Sequence, residues 1–408
     1  MIVRTPGLVL TEHELEVPLD HARPEGERIT IFAREVAAPE GRDRPFLVYL
    51  QGGPGYEAPR PSGRPFGPGW LERALEDFRV LLLDQRGTGR STPVGTLPGL
   101  SVDEQVDWLA HFRADSIVRD AEALRHALGV DRWSVLGQSF GGLCVTTYLS
   151  LAPEGLREAF ITGGLPPLGP RIDDVYRATY AHVADRTRRY FERYPGDRER
   201  LRRLTELLEA EEVRLPSGDR LSPRRLRSLG EALGMSDGAD ALHNILELPP
   251  DSPAFLHDVE AASGFARNPI YAILHEACWA DGGATRWAAQ RLLPDGAGEP
   301  DALTGEHIYP WLFDEVGALA PLRDAARALA EREWPRLYDP ERLAANEVPV
   351  AAAIYANDMY VDRALSEETA AAIHGLQPWL TSEYEHNGLR ADGARILGRL
   401  IDMTRGRA

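Results

Sequence analysis

"WSVLGQSFGGLCVTTYLS", residues 133–150, decides how this chain is read. Trp133–Gly137 is apolar at nearly every position, as in a central parallel strand buried on both faces. "GGLCVTTYLSLA" (141–152) is an apolar run that reads as a helix. Between them, Gly137-Gln138-Ser139-Phe140-Gly141 fits G-x-S-x-G. That pattern alone is common. A buried strand directly before it and a helix directly after it supply the context of a nucleophile turn. There the serine hydroxyl stands above the sheet, and glycines two positions to either side let the backbone pass without Cβ clashes. The alternative is a plain helix N-cap serine; the agreement of strand, turn and helix favours a nucleophile.

Working outward, Arg28–Val36, Pro45–Leu50 and 78–84 read as further strands, and "SVDEQVDWLAHFRADSIVRDAEALRHALG" (101–129) reads as helix, opened by a serine cap and closed on Gly129. Strands alternating with helices predict an α/β fold with a mostly parallel sheet. One more strand and an exit loop follow at 158–170, after which residues 171–334 are mostly helical. The β signal returns at "VPVAAAIYANDMYV" (348–361). The expected organisation is a catalytic α/β domain formed by 1–169 and 336–408, with a helical domain, 170–335, inserted between its halves.

A serine alone is a poor nucleophile; it needs a base, a group to orient the base, and donors for the oxyanion. The strand at 46–50 runs into Gln51-Gly52-Gly53-Pro54-Gly55, whose bare backbone N–H groups suit an oxyanion hole, with Gly53 N–H pairing with Phe140 N–H. Gln51 and Gly52, at the head of that turn, are assigned to substrate binding. Asp358 follows the end of a buried strand and is the candidate acid; Asp362, four residues on, is its rival. His386, in the polar loop "TSEYEHNGLRADG" (381–393), is the candidate base. The order Ser139, Asp358, His386 is that of α/β-hydrolase triads.

At this point the chain resembles the prolyl aminopeptidases (proline iminopeptidases), serine peptidases of the α/β-hydrolase fold. "QGGPG" (51–55) is similar to the family's H-G-G-P-G, "DQRGTGRS" (84–91) to its D-Q-R-G-x-G-R-S, and "GQSFGG" (137–142) to its G-G-S-W-G. Gln51 replaces the usual histidine, Phe140 the usual tryptophan, and the surroundings of the acid and base also differ, which marks a divergent branch. The resemblance implies an α/β-hydrolase with an inserted helical cap, no cofactor and no metal, acting on short peptides with a free N-terminus. It also implies acidic cap residues that hold the substrate's amine. Glu276 in "YAILHEACWADG" and Glu306 in "TGEHIYPW" are the candidates it points to. Two readings compete with a peptidase: another α/β-hydrolase acting on small esters or amides, and a binding protein without catalysis.

Bulk properties narrow the field. The 408 residues carry a net charge of −17, which disfavours nucleic acid and anionic membranes as partners. All 46 basic residues are arginine, so lysine-dependent chemistry is excluded. Two cysteines, Cys144 and Cys278, form no disulfide framework. With no secretory or membrane-length segment, they point to a cytoplasmic protein. "HEACW" (275–279) lacks the second histidine of a zinc-peptidase motif, and "GTGRST" (87–92) lacks the third glycine of a dinucleotide loop.

Overall fold

The computed structural model describes residues 2–63 and 66–407. Nine strands form one sheet: β1 (Ile2–Thr5), β2 (Leu8–Pro18), β3 (Arg28–Ala37), β4 (Phe46–Leu50), β5 (Arg79–Asp84), β6 (Trp133–Gln138), β7 (Leu156–Thr162), β8 (Val350–Tyr355) and β9 (Leu376–Thr381). Their order is β1-β2-β3-β5-β4-β6-β7-β8-β9. The first three and β5 pair antiparallel; from β5 through β4 to β9 every pairing is parallel. β4, β6 and β8 are buried along almost their whole length, as their largely apolar sequences require. Residues alternate between two cores. Val48, Val135 and Ala352 face one, Leu47, Leu136 and Ala351 the other.

After α1 (Leu71–Asp77), the expected helix at 101–129 is two. Ser101 and Glu104 form a capping box on α2 (Val102–Leu109), and Gly129 closes α3 (Ala114–Ala127) with φ 66°. The break falls at Arg113, whose extended backbone sends a buried guanidinium to the carbonyls of Ala280 and Pro335. β9 lies outside the expected strands. Its Pro378 cannot donate to a ladder, which an edge strand tolerates.

Between β7 and β8 the chain is a run of helices, beginning with α5 (Ile172–Arg193) and α6 (Pro195–Ala210). Its own core gathers Phe191, Leu201, Leu208, Leu226, Phe255 and Val259. Asp281, fully buried, fastens both ends of this run: it accepts N–H bonds from Gly169 on the way out and from Leu337 and Tyr338 on the way back. The insertion rests on the loops beyond the carboxyl ends of the strands. There Gly55 lies so close to Ile270 and Tyr271 that an added Cβ would stand 2.8 Å from both. Among the described residues no helix is long and apolar enough to cross a membrane.

Candidate active site

Ser139 joins β6 to α4 (Phe140–Leu151) with φ 54° and ψ −124°, outside the favoured regions for a side-chain-bearing residue. The neighbouring glycines are sterically compelled. A Cβ on Gly137 would meet Gly141 O at 2.2 Å, one on Gly141 would meet Leu50 O at 1.9 Å, and one on Gly142 would meet Gly164 O at 2.5 Å. The turn is therefore wedged between the ends of β4 and β7. Ser139 itself is nearly buried.

His386 Nδ1 bonds Asp358 Oδ2 at 2.7 Å, with both side chains buried. The other carboxylate oxygen of Asp358 accepts the backbone N–H groups of Tyr360 and Val361 at 2.8 and 3.0 Å, which fixes its rotamer. Burial on its own would lower the imidazole pKa. The charge and hydrogen bond of Asp358 outweigh it, and His386 is raised above the ordinary histidine value. Asp362 is engaged elsewhere. It caps the helix Arg363–Ala372 through Leu365 N–H and pairs with His182 Nε2 at 2.8 Å. The structure thus brings His386 to Asp358 and not to Asp362.

Gly52 packs against the nucleophile turn, its hypothetical Cβ 3.1 Å from Ser139 Cβ. Among the described residues, no hydrogen bond ties down the backbone N–H of Gly53 or Phe140. The loop is held from below: Gln85 donates to Gln51 O at 3.0 Å. The rest of the 84–91 stretch is scaffold. Asp84 accepts the N–H groups of Ala58 and Arg90, and buried Arg86 makes a two-pronged pair with Asp120 at 2.6 Å on each arm. Losing one partner of such a buried pair costs on the order of 3–5 kcal/mol. Gln51 lines a cavity of about 380 Å³ with Tyr49, Trp70, Gln138, Asn387 and Arg390, so the neighbours of Gly52, Ser139 and His386 share one wall.

The two glutamates expected to act together have different hydrogen-bond partners. Glu276 turns to its own segment, where its Oε1 accepts Ala289 N–H at 2.9 Å. Its Oε2 has no hydrogen-bond partner, and burial pushes its pKa up to about 7. Glu306 lies in an aromatic pocket, accepting from Tyr271 OH at 2.9 Å, with His275 Nε2 at 3.7 Å from its second oxygen. Its neighbour there is Glu231. Burial first, and then the charge of Glu306, push Glu231 up to about 8. Glu231 and Glu306 both act on Tyr56, Tyr271 and Tyr360, and Glu306 acts on His386. Tyr56 and Tyr271 stand 5.4 Å apart between ring centres, and Tyr360 meets the His386 ring edge-on at 4.7 Å.

The chain matches the α/β-hydrolase fold family over residues 45–389. It is 48% identical to a proline iminopeptidase of Aeromonas sobria, over 98% of this chain and 97% of that protein. It is 35% identical to a proline iminopeptidase of Aspergillus aculeatus, over 98% and 95% of the two chains. The chain belongs to the proline iminopeptidase family of α/β-hydrolases. A probable proline iminopeptidase of Streptomyces coelicolor is 30% identical over 71% of this chain and 77% of its own. Membership makes the chain an aminopeptidase-type hydrolase. Glu231 is a candidate that its sequence conceals. It sits in "RSLGEALGMSDG" (227–238), a stretch with no motif, and only the fold sets it beside Glu306.

Proposed function

We propose that this member of the proline iminopeptidase family releases the N-terminal residue, proline by preference, from short peptides with a free α-amine. Ser139 is the nucleophile. Neutral His386 takes its proton, held in the correct tautomer by Asp358, and the N–H groups of Gly53 and Phe140 receive the oxyanion. His386 then delivers the proton to the leaving amine, and water releases the acyl group from Ser139. The helical insertion, 170–335, acts as a cap. Its Glu231 and Glu306 hold the substrate's ammonium while the rings of Tyr56, Tyr271 and Tyr360 enclose the pyrrolidine. Gln51 and Gln138 line the wall along which the rest of the peptide leaves.

The observation that carries this reading is the Glu306 carboxylate held by Tyr271 OH among rings that reach His386 through Tyr360, with its charge felt at Glu231. Two half-buried carboxylates that feel each other's charge are costly; a bound cation relieves both. Glu276, whose Oε1 accepts Ala289 N–H, takes no part in this task. The test compares proline-β-naphthylamide with its N-acetyl derivative. A strong preference for the free amine, lost in Glu231→Gln, is expected. Equal rates on both substrates would instead indicate a general ester and amide hydrolase.

A further inference from the structure

Helix α5 of the insertion reaches the two loops that carry Asp358 and His386. Arg186 donates through Nη2 to the backbone carbonyl of Asn357 at 2.5 Å and to the Glu385 carboxylate. Asn357 and Glu385 are the residues directly before Asp358 and His386. One helical turn earlier on the same face, His182 holds Asp362, the cap of the helix that follows Asp358. The Arg186 side chain is only 14% exposed and that of Glu385 26%, so water screens the pair little. A guanidinium suits such a bridge because its donors form a rigid planar fork, so one side chain can hold two acceptors at a set separation. The insertion grips the base loop from a second side as well. His386 N–H donates to Gly234 O at 3.2 Å, and Asn387 exchanges hydrogen bonds with Ser236.

Resting on the reading of Asp358 and His386 as acid and base, we infer that Arg186 is a positioning residue that sets the spacing of their two loops from the insertion. Alignment of the catalytic pair then depends on α5 being docked, so the insertion that carries Glu231 and Glu306 also holds the acid and base loops in register. Arg186 touches no reacting atom; it acts through Asn357 and Glu385.

The test uses the full-length enzyme with Arg186→Met, Arg186→Lys, Arg186→Ala and Glu385→Gln, and Arg188→Met as the control. Arg188 lies on the same helix but, among the described residues, pairs only with exposed Asp185 and Glu192. Readouts are kcat and KM for proline-β-naphthylamide, the rate of Ser139 phosphonylation by a fluorophosphonate, and the pH profile of that rate. Arg186→Met should lower kcat and the phosphonylation rate together by about 10- to 100-fold, the scale of a misplacement near 1 Å. KM should hardly change, and the acid limb of the pH profile should move. Lysine should restore part of the loss, Glu385→Gln should show a smaller one, and free guanidinium ion at non-denaturing concentration should rescue Arg186→Ala. Arg188→Met should match wild type. Unchanged phosphonylation in Arg186→Met would overturn the inference. So would a loss that tracks falling Tm without guanidinium rescue, or one that appears in KM alone. Wild-type enzyme that is not labelled at Ser139 would instead overturn the assignment of the site.

Discussion

At the turn around Ser139 the backbone itself is the constraint, with three glycines packed against carbonyls of adjoining elements, whereas around Glu231 the constraint is electrostatic. The first region admits one local conformation and writes it into the sequence as glycine spacing. The second is assembled from residues 56, 231, 271, 306 and 360, scattered over about three-quarters of the chain, and nothing in their local sequence declares a common purpose. On the proposed reading, the difference teaches where each property resides: the reaction type in the stiff turn, and substrate choice in the pocket that Glu231 and Glu306 of the insertion share with Tyr56 and Tyr360.

The sharpest way to break this comparison is at the turn. Ser139→Ala should leave the fold intact and lower kcat by about 10⁶-fold, the scale seen when a triad nucleophile is removed. Gly141→Ala should instead abolish soluble, folded enzyme, because its methyl would lie 1.9 Å from Leu50 O; circular dichroism and yield separate the two outcomes. Asp358→Asn should cost about 10⁴-fold in kcat by stabilising the wrong imidazole tautomer. Asp362→Asn should change kcat far less and leave Tm close to wild type, since asparagine caps a helix about as well as aspartate and chiefly the contact with His182 Nε2 is altered.

In the insertion, Glu231→Gln and Glu306→Gln should each lower kcat/KM for a free-amine substrate by about 30-fold or more, since removing one partner of a buried charge pair costs roughly 2–5 kcal/mol. The N-acetyl substrate should scarcely notice. Glu231 also predicts a pH effect. With a folded pKa of about 8 it is mostly protonated at pH 7. An arriving ammonium favours the ionised form, so binding at pH 7 should release close to one proton. Calorimetry in buffers of different ionisation enthalpy checks this, and Glu231→Gln should abolish the release. On the acid side, kcat/KM should rise with pH as Glu231 and His386 lose their protons, and the His386 limb should lie above the ordinary imidazole range.

The smallest effect sharpens the contrast between glutamates. Glu276 has a folded pKa of about 7, above its unfolded value, so ionising it opposes folding. That penalty is absent below the unfolded pKa, grows from there to about pH 7, and is then constant. Glu276→Gln should therefore flatten the fall of Tm between pH 5 and pH 8 while leaving kcat/KM near wild type. A large loss of activity would return Glu276 to the amine site.

Much of the catalytic half was legible because its signals are local. The largely apolar strands, the strand-turn-helix at Ser139, and an acid and a base in the right chain order all follow from short stretches. The break at Arg113 was not legible, since it serves carbonyls of residues 280 and 335. Nor was β9, whose Pro378 and exposed residues look unlike a strand until β8 provides an edge. Asp358 was separable from Asp362 only by strand-end proximity; the structure adds the reason, because Asp362 is already spent on a helix cap and His182. Glu231 was missed because a carboxylate's partner across a pocket leaves no periodicity and no motif.

The most direct measurement is the site and rate of covalent labelling by a fluorophosphonate, read by peptide mass spectrometry. The account predicts one label per chain, on Ser139, with activity lost in step, slowed strongly by Asp358→Asn and little by Asp362→Asn. A label on another residue, or one on Ser139 whose rate follows Asp362 rather than Asp358, would contradict it.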